Sequence, residues 1–540
     1  MLRPDPDKKE RAILLTASFA MLVMAFVQCL RTMHGLVWPY DTDFDRDIAF
    51  VRGTLDGHFG RDPTYLGQYL WYNPLLFSLE ALLVKITGLP TNVVIIRFGL
   101  YLNLLGPLTF FWMTWRLFDL RIATGALLSY LFFALGNSLS AATYSPWLYP
   151  STFAQFFFYI NILLCVKAFT SGKYSWFILL GSSLGLSFLA HTAPALLIIL
   201  ILGSIQIGNL LRAARARDVQ LFKKLVLQGI AAFIPYVIIA LPLLYYVAGK
   251  YHLHVVNTYI VEWRPDMMYL SKWRNLLAAN FSVSLVIAVV GFLVFYRNYR
   301  PRLQRRIIMN WLALSVIMYV YSISVPPIRE KFHIQLPETV PCYHYFNYLK
   351  ALQSVFFGVG LVWLLDKGLG LLRIAGPASS RHSILLAVVI LVCASLYFPR
   401  YSTRADFSDR RQASLLKGQD STRIEAYQYL VNRIPCEKVI LCPELNSTFP
   451  VMASGRKMVS VSVAFSNPYL SFDKRFGDAN LMLSFLKTGV PAEARNLFDE
   501  YLVSYVFLPN AEITPITNTS PLFGQVVFRN QDYTLFSVKR

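Results

Sequence analysis

The sequence has few charged residues for its length. Asp, Glu, Lys and Arg make up 15% of the 540 residues, while 55% are hydrophobic and the mean hydropathy is +0.46. This composition excludes an ordinary soluble domain, which could not bury so much apolar surface. Repeated apolar runs reach the length that a bilayer-spanning helix needs. The chain is therefore predicted to be a polytopic α-helical membrane protein.

Ionisable residues are scarce in the middle of the apolar runs. Proton- or ion-coupled transporters usually bury such residues at mid-membrane, so a transporter is the less favoured function. The six cysteines have no metal-ligand spacing. The net charge of +21 comes from basic residues clustered in short loops, which membrane topology explains better than binding to nucleic acid. No nucleic-acid partner is expected.

We predict eleven spanning helices, each near the length of about 20 residues that a bilayer requires. The apolar run from Tyr174 to Leu211 is too long for one span, so we divide it at His191-Thr192-Ala193-Pro194. The predicted spans are Ala12–Leu30, Asn92–Trp115, Ile122–Ala141, Ser151–Ala168, Tyr174–Ala190, Ala193–Leu211, Leu225–Val247, Leu277–Tyr296, Ile307–Val325, Phe346–Leu365 and Ser383–Phe398.

The distribution of Lys and Arg predicts a cytoplasmic N-terminus. Two basic clusters, Arg212–Lys224 and Arg297–Arg306, then lie on the cytoplasmic side. Counting Asn73–Thr87 as a further span would move both clusters outside. We therefore predict that this segment lies at, or re-enters, the outer interface.

The composition changes after Phe398, and the rest of the chain is predicted to form a soluble α/β domain outside the cytoplasm. The predicted domains are 1–399, with a first outer loop at 31–91, and 400–540. In the second domain we predict a solvated surface turn at Gly455-Arg456-Lys457. The predicted helices are Arg423–Arg433, Asp478–Leu486 and Ala492–Tyr501, and the predicted strands are Lys438–Cys442, Val503–Leu508, Gln525–Phe528 and Tyr533–Val538.

Four aspartates stand at alternate positions in the first outer loop, in the sequence Asp41-Thr42-Asp43-Phe44-Asp45-Arg46-Asp47. Carboxylates this close repel one another, which raises the pKa of some of them. Such a group can bind a divalent cation or keep one carboxylate as a general base for a hydroxyl. The alternative is a purely structural loop whose acids pair with Arg46, Arg52 and Arg61.

The order of motifs in this loop resembles that of the GT-C superfamily of membrane glycosyltransferases. The acidic motif is followed by an amphipathic segment ending at Gly57, by Asp62-Pro63-Thr64-Tyr65, and by Trp71-Tyr72-Asn73-Pro74-Leu75. The local order is similar to that of polyprenyl- or dolichyl-phosphate-sugar-dependent mannosyltransferases. The Trp-Trp-Asp-Tyr-Gly motif of the oligosaccharyltransferase branch is missing, which disfavours transfer of preassembled glycans to Asn.

The resemblance implies an enzyme that moves one sugar from a polyprenyl-phosphate donor to an acceptor hydroxyl on the extracytoplasmic face, with inversion. It places the catalytic carboxylate on Asp43, supported by Asp41, with Asp45 and Asp47 as the alternatives. A divalent cation, Mg²⁺ or Mn²⁺, held by Asp41 and Asp43 is an optional cofactor, because some members of the superfamily use one and others do not.

The departing lipid phosphate needs cationic partners, and two later outer loops offer basic and aromatic side chains. The same residues could instead anchor the protein at the membrane interface. The predicted phosphate-binding residues are Arg329, Lys331, Arg264, His252, His254 and His344.

The predicted partners are the polyprenyl-phosphate sugar donor, a glycan, lipid or protein acceptor, and membrane lipids. A bacterial inner membrane is favoured over the endoplasmic reticulum. Two other functions stay open, a transporter or flippase of lipid-linked glycans and a non-catalytic membrane scaffold.

Overall fold

Apolar helices make up most of the chain. The computed structural model describes residues 7–133, 144–259, 272–334, 336, 340–371, 378–488, 492–514 and 522–539. Within these ranges, eight helices are long and apolar enough to cross a membrane, and three shorter apolar helices accompany them. Each of the eleven overlaps one predicted span, although residues 134–141 of the predicted span Ile122–Ala141 lie outside the described ranges. The polytopic α-helical membrane protein is confirmed.

The helices are numbered here in chain order within the described residues. They are α1 Lys8–Met33, α2 Thr42–Leu55, α3 Leu75–Thr87, α4 Thr91–Leu102, α5 Leu105–Leu117, α6 Leu120–Leu128, α7 Pro150–Phe153, α8 Gln155–Ser171, α9 Tyr174–Ala190, α10 Thr192–Arg215, α11 Val219–Leu244, α12 Trp273–Asn280, α13 Val283–Asn298, α14 Arg302–Phe332, α15 Cys342–Leu371, α16 Ala378–Ser402, α17 Asp409–Gln419, α18 Ser421–Arg433, α19 Phe472–Thr488 and α20 Ala492–Glu500.

The predicted break in the run from Tyr174 to Leu211 is confirmed. His191 has an extended backbone between α9 and α10, and its Nδ1 accepts a hydrogen bond of 3.2 Å from the Ala193 N–H. The side chain thus satisfies one of the donors that a helix start leaves unpaired. This cap separates two apolar helices that hydropathy alone would merge.

Two helix ends differ from the sequence predictions. The helix predicted to end at Val325 continues through Pro326 and Pro327 to Phe332. Each proline removes one backbone donor, but membrane helices tolerate such losses when nearby groups satisfy the freed carbonyls. The span predicted from Leu277 is divided at Ser282, whose hydroxyl accepts from the Leu285 N–H and begins α13.

The chain divides into two compact units. The first comprises Met1–His34, Phe98–Ala240 and Glu262–Asp409, and the second comprises Gly35–Arg97, Leu241–Val261 and Arg410–Arg540. Most of the membrane helices fall in the first unit. The second unit contains the first outer loop together with the C-terminal region.

The second unit contains a mixed five-stranded sheet in its described residues. Its order is β2-β1-β3-β5-β4, with β2, β1 and β3 parallel and β5 antiparallel to both β3 and β4. This confirms the predicted C-terminal α/β fold and adds strand β2. The strands are β1 Val439–Leu441, β2 Lys457–Met458, β3 Val503–Pro509, β4 Phe523–Arg529 and β5 Tyr533–Val538.

Alternate strand residues point to opposite faces of this sheet, and each face has its own hydrophobic core. Ile440 and Phe507 belong to one core, while Leu441 and Val506 belong to the other. Ala49 of α2 and Tyr65 of the first outer loop are buried in the first of these cores. The outer loop is therefore a packed part of this unit.

The predicted solvated turn at Gly455-Arg456-Lys457 is wrong. Arg456 and Lys457 are each only 4% exposed. Lys457 Nζ donates to the Asp62 carbonyl at 2.6 Å, and Arg456 donates to three backbone carbonyls. Buried cations need such partners, and all of these except the Ser454 carbonyl come from segments that are distant in sequence.

Candidate active site

The acidic loop folds as the first turn of α2. Asp41 has an extended backbone and caps the helix, with its carboxylate accepting from the Asp43 N–H at 3.4 Å. Asp43 and Asp45 occupy the first turn. The positive end of the helix dipole stabilises carboxylates at these positions. The start of α2 therefore favours the concentration of acids in this segment.

The three aspartates within α2 have different surroundings. The Asp45 side chain is 1% exposed and accepts from Lys417 Nζ at 2.6 Å, while the Asp47 side chain is 2% exposed and pairs with Arg46. The Asp43 side chain keeps 39% of its surface exposed, with Oδ1 3.0 Å from Arg46 Nη1. Among these three carboxylates, Asp43 is the one that an outside molecule can reach.

Arg46 joins two of these carboxylates. Its Nε and Nη2 donate to Asp47 Oδ1 at 2.9 Å and 2.7 Å, and Nη1 lies beside Asp43. The guanidinium lies over the Tyr72 ring, with its carbon 4.5 Å from the ring centroid. Phe50 of α2 stacks on Phe77 with a centroid distance of 4.9 Å. The aromatic-Asn-Pro motif thus packs directly against the acidic helix.

Burial shifts the pKa of the carboxyl groups. The pKa of Asp45 is raised to about 6 by burial, against the opposing charge of Lys417, and that of Asp47 to about 7, against Arg46. Partial burial also raises the pKa of Asp43, while Arg46 and Arg410 oppose the shift. A carboxylate with a raised pKa takes up a proton more readily, as a general base requires.

Two cations near these acids come from α17, which the sequence analysis did not identify. Arg410 lies 5.2 Å over the Tyr40 ring, and Lys417 pairs with Asp45. The Ser414 hydroxyl donates to the Trp38 carbonyl and fixes the helix against the outer loop. This polar helix has no apolar run, and only its basic residues at a spacing of seven could have signalled its role.

His252 and His254 lie in the same compact unit as the acidic helix. Both are exposed, and His252 has a left-handed backbone with φ of 53°. Their neighbour Tyr251 fixes the segment, because its hydroxyl donates to the Tyr69 carbonyl and accepts from the Tyr69 N–H, each at 2.9 Å. A phosphate-binding role for these histidines stays a prediction.

The remaining predicted phosphate-binding residues lie elsewhere. Arg329 and Lys331 are in the last turn of α14, and His344 is buried in α15 with its ring centroid 4.5 Å from that of His191. These three residues belong to the first compact unit. Arg264 lies outside the described residues.

The metal site predicted at Asp41 and Asp43 stays a prediction. Asp41 caps α2 and Asp43 pairs with Arg46. Where the structure describes the chain, one group of three or more potential metal ligands converges within 4.8 Å, and it does not include these aspartates. We therefore derive no catalytic step through a metal.

The fold is similar to those of solved membrane glycosyltransferases. The oligosaccharyltransferase of Archaeoglobus fulgidus superposes with a TM-score of 0.55 at 13% identity, over 93% of this chain and 69% of that one. ArnT of Cupriavidus metallidurans, bound to undecaprenyl phosphate, has a TM-score of 0.53 at 12% identity, over 97% of both chains. A variant of the mycobacterial arabinofuranosyltransferase AftD has a TM-score of 0.51 at 14% identity, over 98% of this chain and 42% of that one.

The chain has the GT-C fold. The resemblance that the outer-loop motifs indicated is confirmed at the level of the fold, across almost the full length of the chain. No protein-family model matches the sequence, and the comparison with curated proteins gave no match. With identities this low, the GT-C fold establishes the architecture, and the reaction has to be argued from the site.

Proposed function

We propose that this protein is a membrane glycosyltransferase that moves a single sugar from a polyprenyl-phosphate donor to an acceptor hydroxyl on the extracytoplasmic face. The observation that carries the proposal is the position of Asp43. It is a partly exposed carboxylate at the start of a helix whose other acids are buried and paired. Similarity to proteins described with undecaprenyl phosphate and with dolichol phosphate supports a lipid-phosphate donor.

The proposed reaction is a single displacement. The acceptor oxygen attacks the anomeric carbon of the donor sugar, and its proton passes to a carboxylate oxygen of Asp43. The bond between the anomeric carbon and the phosphate oxygen breaks, and the polyprenyl phosphate leaves with the electron pair. The configuration at the anomeric carbon inverts. General-base assistance of this kind typically contributes about 100-fold to 10,000-fold in rate.

Arg46 keeps Asp43 suited to this role. Burial raises the pKa of Asp43, and the charge of Arg46 opposes this rise, so that the carboxylate is available as a base. The contacts of Arg46 with Asp47 and Tyr72 fix the position of the guanidinium. Asp45 is less suitable because Lys417 already occupies one oxygen. A base held by a positioned cation needs little reorganisation during the reaction.

The phosphate of the donor requires positive charge as the sugar departs. The charge of Arg410, like that of Arg46, acts on Asp43. We propose that it contributes to phosphate binding along with the predicted residues of the later loops, Arg329, Lys331, Arg264, His252, His254 and His344. We further propose a cytoplasmic N-terminus, a C-terminal region outside the cytoplasm and a bacterial inner membrane.

The deciding experiment measures sugar transfer by the full-length protein in lipid. Radiolabelled polyprenyl-phosphate sugars serve as donors, and membrane lipids, glycans and proteins as acceptors. The wild type is compared with Asp43→Asn and with Asp499→Asn, a control at an exposed position of α20. Wild type and control should transfer label, whereas Asp43→Asn should be at least about 100-fold slower.

Other outcomes separate the alternatives. Equal transfer by wild type and Asp43→Asn would assign the base to Asp45 or Asp47. Absence of transfer from every donor by folded wild type would contradict the enzyme and favour the flippase. A product with retained anomeric configuration would contradict single displacement.

A further inference from the structure

We infer that His58, Cys436 and Glu437 form a binding site for a zinc-type metal ion. One potential ligand atom from each residue lies within 4.8 Å of the other two. Cys436 Sγ is 3.5 Å from His58 Nε2, and Glu437 Oε1 is 2.6 Å from His58 Nδ1. The site contains none of the residues that the proposed sugar transfer uses.

Local structure presents the three side chains from two turns. His58 follows the end of α2, where Gly57 has a left-handed backbone with φ of 84° and the His58 N–H donates to the Gly53 carbonyl at 2.8 Å. Cys436 and Glu437 are the central residues of a turn closed by the Lys438 N–H to the Pro435 carbonyl at 3.1 Å. Both turns belong to the second compact unit, in which each backbone is fixed by hydrogen bonds.

The separation of two of the ligand atoms, Cys436 Sγ and His58 Nε2, fits a tetrahedral ion. Zinc–sulfur bonds of about 2.3 Å and zinc–nitrogen bonds of about 2.0–2.1 Å place two such ligands about 3.6 Å apart. The observed distance from Cys436 Sγ to His58 Nε2 is 3.5 Å. A thiolate, an imidazole and a carboxylate form a donor set that suits zinc, with water completing four-fold coordination.

Exposure and charge allow an ion to enter. The side chains of His58 and Glu437 are 29% and 49% exposed, and Cys436 is a partly buried free thiol. To reach an ion held between Cys436 Sγ and His58 Nε2, the Glu437 carboxylate would turn away from His58 Nδ1, with which it is paired here at 2.6 Å. Bound to the ion as a thiolate and a carboxylate, Cys436 and Glu437 would supply two negative charges, and His58 would supply a neutral nitrogen.

The same three residues could instead form a reactive thiol, since a cysteine beside a histidine that a carboxylate orients is the pattern of an activated nucleophile. Such a nucleophile needs a substrate cavity at its sulfur atom. The pocket that His58 lines with Phe50 and Phe77 has a volume of only about 10 Å³, too small for a substrate, and neither Cys436 nor Glu437 lines it. The metal site is therefore the interpretation that we carry forward.

A bound ion would join parts of the chain that lie far apart in sequence. His58 and Cys436 are separated by 378 residues. The ion would connect the end of α2, whose first turn carries Asp43, to the turn before β1. An ion that binds only the folded state stabilises it by mass action.

Metal binding to the full-length protein tests the inference directly. The protein is stripped with a chelator and titrated with Zn²⁺, or with Co²⁺ as a spectroscopic probe. We expect one ion per chain and, with Co²⁺, a thiolate-to-metal charge-transfer band. Cys436→Ser should abolish the band, and Cys436→Ser and His58→Ala should each weaken Zn²⁺ binding by more than about 100-fold.

Glu437→Gln should weaken Zn²⁺ binding by about 10-fold to 100-fold. Cys393→Ser and His34→Gln are the controls, and they should bind as the wild type does. Zn²⁺ should raise the melting temperature of the wild type and leave that of Cys436→Ser unchanged. Melting of each variant without metal shows whether it has folded.

Two results would overturn the metal site. The first is the absence of stoichiometric Zn²⁺ or Co²⁺ binding to the folded wild type. The second is a Cys436→Ser variant that binds the ion as tightly as the wild type. Alkylation of Cys436 that His58→Ala slows and Zn²⁺ does not prevent would assign the reactive thiol in its place.

Discussion

Lys417 Nζ lies 2.6 Å from Asp45 Oδ1, although 372 residues separate the two in the chain. Both side chains are almost fully buried, at 13% and 1% exposed. Lys417 also lies 4.8 Å over the Phe449 ring. The pair fixes α17 to the acidic helix, and it gives Asp45 a structural role beside the catalytic role proposed for Asp43.

We predict that Lys417→Met lowers the unfolding free energy by about 3 kcal/mol, because it leaves a buried carboxylate without its partner. The double variant Asp45→Asn with Lys417→Met should recover part of this loss. Thermal unfolding of the purified protein measures both effects, and the exposed Lys438→Met serves as the control. Equal melting of the Lys417→Met and Lys438→Met variants would contradict the role given to the pair.

Arg46→Lys should slow sugar transfer more than it changes donor affinity. A lysine keeps the charge, but its single ammonium cannot contact Asp43 and Asp47 as the planar guanidinium does. Weaker opposition to burial should also raise the pKa of Asp43, so that the acidic limb of the rate profile moves to higher pH. Initial rates across pH measure this shift, with exposed Arg61→Lys as the control. Unchanged kcat in Arg46→Lys would argue against the positioning of Asp43 by Arg46.

Glu80 lies fully buried in α3, and neither carboxyl oxygen has a hydrogen-bond partner in the described structure. Burial, with the nearby Asp47 charge, raises the pKa of Glu80 well above its ordinary value. The folded state therefore holds this proton more tightly than the unfolded state does. The contribution of protonated Glu80 to the free energy of unfolding is complete below about pH 4, and it is lost as the pH rises through the pKa of Glu80 in the folded state.

Glu80→Gln should remove this pH dependence. Relative to the wild type, the variant should gain about 1.4 kcal/mol per pH unit above the unfolded pKa, until Glu80 ionises. Melting temperatures of both proteins between pH 4 and pH 8 provide the measurement, and the exposed Glu444→Gln should follow the wild type. Parallel curves for Glu80→Gln and wild type would show that Glu80 is not protonated in the folded protein.

Arg456 stabilises the second compact unit, because its guanidinium donates to the carbonyls of Leu430, Val431 and Ser454. Arg456→Met should remove these three hydrogen bonds and cost about 3 kcal/mol in stability. Limited proteolysis should then cleave the C-terminal region sooner than in the wild type. Arg433→Met removes an exposed arginine and should have no such effect. Similar proteolysis of the two variants would contradict the stabilising role of Arg456 and agree with the solvated surface turn that the sequence predicted.

The sequence predicted those helices and strands whose formation depends on neighbouring residues in the chain. The hydrophobic runs gave the membrane helices, and the break at His191 followed from length and from Pro194. Strand β5 was predicted to the residue at Tyr533–Val538, because aromatic and β-branched residues follow the turn residues Asn530-Gln531-Asp532. The acidic motif was correctly associated with the GT-C fold, since its spacing from the Pro-Leu-Leu motif is a property of sequence alone.

Contacts between distant segments could not be predicted. The burial of Arg456 depends on carbonyls of α18, and that of Lys457 on the Asp62 carbonyl. Helix α17 has no apolar run to reveal it, yet it supplies Lys417 to Asp45. A single sequence shows which residues can be charged or buried, but pairing across hundreds of residues is decided by the tertiary fold.

The packing of Ala49 and Tyr65 into the core beside the C-terminal sheet has a consequence for biosynthesis. The ribosome synthesises these residues before the sheet, so the apolar surface of the first outer loop stays uncovered until the C-terminal region has been made. Asp45 likewise has no counter-charge until Lys417 has been synthesised. A chain truncated before Lys417 would therefore lack the proposed sugar-transfer activity, although it would contain the membrane helices. Activity would appear only after the C-terminal region has folded, so an incomplete chain would not consume lipid-linked sugars.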